Sequence, residues 1–187
     1  MNDIEILHQM ITDNAKVALV PNYNGKMVEL TETECRDSTA TIFGMPENSI
    51  IINLDRFWLP DKILTGKRGQ LKRADFVIVA NDNRKWIIIC IELKRIKGDN
   101  KKIIKQLTGA QCFITYCQKV GQAFWNQPDF LENYEHRFIS ITHTSISKQR
   151  TRVKCSANIH NQPTKFLKIS SPNHLQFNKI VGLPTQR

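Results

Sequence analysis

Three side chains near the middle of this sequence have the types and spacing to do chemistry. Asp75 is followed, after sixteen intervening residues, by Glu92-Leu93-Lys94. Two carboxylates held close repel each other, and they either share a proton or bind a cation. A hard divalent ion such as Mg²⁺, with Mn²⁺ as its substitute, accepts oxygen ligands of this kind and usually keeps waters and substrate phosphate oxygens besides. An ammonium such as Lys94 beside that site can orient a water, help deprotonate it or stabilise charge at phosphorus. The set is chemically complete for metal-assisted hydrolysis of a phosphodiester.

The residues around this set must bring it together. Residues 74–80 and 85–94 are β-branched runs flanking the turn Asn81-Asp82-Asn83-Arg84, which predicts a β-hairpin. With that four-residue loop, paired positions sum to 165 and Asp75 lies opposite Cys90. Glu92 is then its diagonal neighbour and Lys94 one step beyond, all on one face unless a bulge breaks the alternation. Both strands are apolar on both faces, so the hairpin belongs in the middle of a sheet with cover on each side. Burying an Asp, a Glu and a Lys at its end is costly without a task.

Elsewhere the periodicity predicts an amphipathic helix over residues 3–18, with Asp3 as N-cap, and a second over 101–120, capped by Asp99 or Asn100. Residues 26–30, 38–43, 49–58, 137–142 and 164–170 read as strands, and 147–161 shows no clear period. The order helix, strands, helix, strand implies a mixed α/β domain around a central sheet flanked by helices. Its boundaries are placed at 1–146, with 147–187 as a basic C-terminal segment packed on the same domain or extending it.

Asp75 at the start of one hairpin strand and Glu92-Leu93-Lys94 at the end of the next, with a helix following, resembles the core of the PD-(D/E)xK nuclease superfamily, the restriction-endonuclease-like fold. The likeness spans about residues 49–120. Ala74 stands where that family often has proline. The resemblance implies that Asp75 and Glu92 ligate Mg²⁺ together with the Leu93 carbonyl, and that Lys94 activates or positions the attacking water. It also implies an upstream acidic ligand, for which Asp55, Glu29 and Glu34 compete; Asp55 is preferred because it lies late in a good strand. Gln106, on the following helix, is the candidate to approach the metal water or the phosphate. The implied activity is hydrolysis of DNA phosphodiesters by an endonuclease in restriction, phage defence or repair. One active site cuts one strand, so a homodimer or a larger defence complex is the expected assembly.

Composition and charge narrow the partners. The net charge of +10 is unevenly spread: residues 1–60 carry −5, 61–105 carry +8 and 106–187 carry +7. Such a field favours a polyanion, nucleic acid before anionic membrane. Lys67, Arg68, Lys72 and Arg73, with Lys62 before them, lead directly into Asp75. Lys101, Lys102 and Lys105 open the second helix, and Lys148, Arg150, Arg152 and Lys154 alternate further on. All are candidates for phosphate contact. Five irregularly spaced cysteines do not resemble a disulfide framework or a zinc site, and no glycine-rich phosphate loop is present. With no signal-like start and no long apolar run, the expectation is a cytoplasmic globular protein without a membrane partner. Phe124 and Trp125 read as core or lid aromatics. An alternative reading of the motif is that Glu92 and Lys94 are solvated residues at a strand end, paired with each other; the alternative function is a non-catalytic nucleic-acid-binding protein on an inactive version of the same fold. RNA is the alternative polymer.

Overall fold

In the computed structural model the described residues are 1–23, 25–32, 39–55, 64–82, 85–96, 98–142, 160–170 and 175–182. Two mixed sheets form the frame. The first has five strands in the order β4 (Ser49–Asn53), β5 (Phe76–Asn81), β6 (Trp86–Lys94), β7 (Glu135–Thr142) and β8 (Leu167–Ser170). β4, β5 and β6 are antiparallel neighbours, while β7 and β8 run parallel to β6. The second joins β1 (Val20–Asn22), β2 (Gly25–Thr31), β3 (Thr39–Met45) and β9 (Leu175–Gln176), with β9 parallel to β3. Helices α1 (Asp3–Met10), α2 (Asn100–Phe124) and α3 (Phe177–Val181), with short 3-10 turns at Asp13–Ala15 and Pro163–Lys165, complete the described elements. The protein is therefore α/β, with the expected mixed sheet flanked by helices and a second sheet beside it. No helix among the described residues is long and apolar enough to cross a membrane.

The central strands are apolar on both faces because both faces are covered. Val77, Val79, Ile88 and Cys90 pack with α1 and α2, whereas Ile78, Ile87, Ile89 and Ile91 pack with the second sheet and α3. By alternation along the strands, Asp75, Glu92 and Lys94 belong to the helix-covered face. The described part of 147–187 supplies β8 and β9 to the two sheets and α3 to the core between them. The buried Arg137 secures α3 by donating from Nε to the Val181 carbonyl at 2.7 Å.

Several sequence-based boundaries move: the strand expected over 164–170 begins only at Leu167, after a 3-10 turn at Pro163–Lys165, and the second helix runs on to Phe124. The first helix begins one residue after Asn2, which caps it: its side chain accepts from the Glu5 N–H at 2.9 Å, and the Glu5 carboxylate returns the bond to the Asn2 N–H. It stops at Met10 rather than at residue 18. The following segment is drawn to the edge of β4 instead, where Val17 donates to the Ile51 carbonyl at 2.9 Å and Lys16 bridges Ile52. The strand expected over 49–58 ends at Asn53, whose side chain accepts the Asp55 N–H at 3.0 Å and turns the chain. Residues 56–63 lie outside the described residues. Phe124 is 78% exposed at the end of α2 rather than in the core, and Trp125 is partly buried against it.

α2 also fixes the chain that leads into Asp75. A Cβ at Gly109 would lie 1.7 Å from the Lys72 carbonyl oxygen, so only glycine allows this approach of loop to helix. Alanine is ordinarily the better helix former by about 1 kcal/mol, and that gives the substitution a diagnostic sign. Gly109→Ala is expected to destabilise the protein by about 1–3 kcal/mol through overpacking, read as a lowered denaturation midpoint. A raised midpoint would mean the loop yields without cost.

Candidate active site

The hairpin register differs from the expected one by two residues. Phe76 pairs with Ile91 and Asn81 with Trp86, so paired positions sum to 167 rather than 165. The turn is tightened by Asp82: its N–H donates to the Lys85 carbonyl at 3.2 Å, and its carboxylate accepts the Lys85 N–H at 2.7 Å. A shift of two preserves the alternation, so Asp75, Glu92 and Lys94 still share a face. Continuing the register one step puts Asp75 directly opposite Glu92 instead of diagonal to it.

Both carboxylates are sequestered. Asp75 is 9% exposed and Glu92 is 0% exposed. The Leu93 N–H donates to Asp75 Oδ2 at 2.6 Å, which binds the two strands at the site itself. Lys94 Nζ makes an ion pair with Glu92 Oε1. Among the described residues, Glu92 Oε2 accepts no hydrogen bond. Glu92 is thus paired with Lys94, as the alternative reading supposes, but it is not solvated.

Burial pushes the Asp75 carboxyl up to about 7, against the lowering effects of the Leu93 N–H and the Lys94 charge. Burial likewise raises Glu92 to about 8, and the facing Asp75 adds to the shift. For Lys94, burial acts to lower the pKa, but Glu92, Asp75 and Glu32 outweigh it and hold the ammonium above its ordinary range. In this state Lys94 is charged, which suits it to orient a water or stabilise an anion rather than to remove a proton.

Glu32, immediately after β2, is the acidic residue that sequence reasoning misses. Its charge reaches Asp75, Glu92 and Lys94, and its Oε2 is buried without a hydrogen-bond partner among the described residues. A signal for it exists: Glu32 has the parity of the buried Val28 and Leu30, whereas Glu29 has the opposite parity and is exposed. Asp55, the preferred upstream ligand, is engaged elsewhere. It lies beyond the end of β4, and Arg73 donates to its carbonyl at 3.1 Å and to its Oδ1 at 3.4 Å. Its charge still contributes to the raised Asp75 pKa. Glu34 lies outside the described residues.

Gln106 stands on α2 between the buried Ile103 and Ala110, and its Oε1 is also buried without a partner among the described residues. Among the described residues, buried oxygens of Glu32, Glu92 and Gln106 thus lack hydrogen-bond donors, which bound waters or, at the two carboxylates, a cation would supply. No three His, Cys, Asp or Glu side chains among the described residues form a ready-made cation cluster. The donor set that fits a hard divalent ion is the facing pair Asp75 and Glu92, with Glu32 adding charge from the second sheet.

The cations divide by role. Lys67, Arg68, Lys72, Lys101, Lys102 and Lys105 are exposed and form no ion pair among the described residues. They occupy adjoining surfaces, because the loop packs on α2: a Cβ at Gly69 would lie 2.9 Å from Lys105 Cδ. Arg73 turns inward instead, donating from Nε to the Leu54 carbonyl at 2.8 Å. Lys62, Lys148, Arg150, Arg152 and Lys154 lie outside the described residues. No family model, no curated protein and no solved structure matches the chain.

The raised carboxyls make stability depend on pH. A carboxyl raised on folding contributes stability that is complete below its unfolded pKa and is lost as pH rises through its folded value. For Asp75 and Glu92 that window runs from about 4 to about 8. With chelator present, the melting temperature is expected to fall between pH 5 and pH 8.5. Asp75→Asn should flatten the fall and melt higher at pH 8.5, by about 2–4 °C for each kcal/mol relieved. An equal fall in the variant would remove Asp75 from the titrating pair.

Proposed function

We propose that the protein is a Mg²⁺-dependent nuclease that hydrolyses phosphodiester bonds in DNA, with the restriction-endonuclease-like fold that the PD-(D/E)xK resemblance implies. The observation that carries this reading is the buried pair of facing carboxylates beside a charged lysine, bounded by exposed cations. A buried Glu with an oxygen that finds no donor among the described residues, opposite a second carboxylate, is unfavourable in a merely structural strand end. It is useful where a hard cation must be held.

Exposed Lys67, Arg68, Lys72, Lys101, Lys102 and Lys105 would gather the phosphate backbone beside the loop that leads into Asp75. Asp75 and Glu92 would hold the ion, and Mn²⁺ would replace it. When bound, the ion polarises water and neutralises charge at phosphorus. Lys94 would orient the attacking water and stabilise negative charge developing on phosphoryl oxygen, an interaction stronger in a desolvated site. Gln106 would accept a hydrogen bond from that water through Oε1. Water adds to phosphorus, an ester P–O bond breaks, and the departing oxygen takes up a proton. Restriction, phage defence and repair are the settings this reaction fits, with a homodimer or larger complex needed to cut both strands.

Supercoiled plasmid incubated with Mg²⁺ tests the reading. The parent should nick it, and Asp75→Ala and Lys94→Ala should lose at least about 100-fold in rate while keeping their fold. Variants that cut as well as the parent would overturn the catalytic assignment. Salt-sensitive DNA binding without cleavage would favour the non-catalytic alternative. Removing Lys101, Lys102 and Lys105 together should weaken DNA binding for any sequence. It should also reduce the dependence of log affinity on log salt by about 0.9 for each phosphate that these lysines neutralise in the parent. An unchanged slope would move the binding surface elsewhere.

A further inference from the structure

We propose that Lys94 is the resident counter-ion of Glu92 and yields that place when a divalent cation binds, so that cation loading and release of the Lys94 ammonium towards the phosphate are one event. The cation's role rests on the nuclease reading; the exchange rests on the geometry of this pair.

Glu92 has a fully buried side chain, and its Oε1 is occupied by Lys94 Nζ. The Lys94 side chain is 19% exposed. Of the two partners, only the lysine has a route to solvent. Its stem passes the backbone at Gly98, where a Cβ would stand 3.5 Å from Lys94 Cδ, and the next residues, Arg95 and Ile96, are exposed. A four-carbon flexible stem lets an ammonium move without backbone change, whereas a buried strand carboxylate cannot follow.

A divalent ion drawn to the open Oε2 would stand a few ångströms from the ammonium on Oε1, and like charges that close in a buried site repel strongly. The charge balance also fits a change of partner rather than expulsion. Glu32, Asp75 and Glu92 carry three negative charges when ionised, and one lysine with one divalent ion balances them. Lys94 therefore stays in the field of the site while its ammonium leaves the Glu92 oxygen and becomes free for water or phosphate. Without the ion, the lysine is held by the carboxylate and withheld from substrate.

Calorimetric titration of Mn²⁺ into the chelator-stripped full chain tests the exchange independently of cleavage. Lys94→Met keeps the apolar stem and removes the competing charge, and it should bind Mn²⁺ roughly tenfold tighter than the parent, the factor equivalent to one pKa unit of interaction. Lys94→Gln, a second variant in case the first folds poorly, should shift in the same direction, and Glu92→Gln should lose most of the binding. Equal or weaker Mn²⁺ affinity in both lysine variants would overturn the exchange. If the parent nicks DNA and the lysine variants bind no tighter, the exchange fails alone and the nuclease reading stands. If they bind tighter but the parent never cuts, the exchange stands and the nuclease reading fails. A parent that neither binds Mn²⁺ nor cuts would end both.

Discussion

The pairing of β5 with β6 governs this molecule, because its register decides which side chains meet at the ends of the two strands. Ladder hydrogen bonds and the Leu93 N–H on Asp75 hold the strands in the one alignment that sets Asp75 against Glu92. A slip of one residue would turn every apolar side chain of the hairpin to the wrong layer, and the two cores on either side prevent it. The energy that enforces the alignment is therefore hydrophobic and spread over many residues. The charges it forces together are few and opposed to each other.

That arrangement gathers unfavourable charge at one end of the sheet. Asp75 and Glu92 are kept from water by the layers that stabilise the sheet, so their ionised forms are disfavoured until positive charge arrives. Lys94 supplies part of that charge, and among the described residues carboxylate oxygens of Glu32 and Glu92 still find no donor. Around the site the chain is anchored rather than loose. Arg73 holds the turn after β4, and the Lys72 backbone is pressed against Gly109 of α2. The exposed lysines of loop and helix are thus presented from one packed unit.

Much of this is legible in residue order. Period-two apolar runs and an Asn/Asp turn locate the hairpin, and alternation puts Asp75, Glu92 and Lys94 on one face even with the register two residues off. The error is harmless because parity survives an even shift. Asp55 misleads because a run of isoleucines suggests that the strand continues, while the Asn53 side chain ends it by a local hydrogen bond. The first helix reads too long because residues 15 and 18 keep helical spacing. A free edge of β4 competes for that segment, and such tertiary competition is not written in local periodicity. Glu32 escapes notice although its parity with Val28 and Leu30 marks it as inward-facing. Residue order cannot convey that a second sheet carries it to the first.

The parallel partnership of β3 with β9 has a kinetic side. Ile42 pairs with Leu175, and β8 comes to lie beside β7 only through residues 167–170. Both sheets thus close with strands far along the chain, and such long-range closures must bear their entropy before the contacts reward them. The hairpin and α2, by contrast, are built from near neighbours. Folding on this topology would bring the acidic hairpin and α2 together early, and the face turned away from the two carboxylates would be covered last.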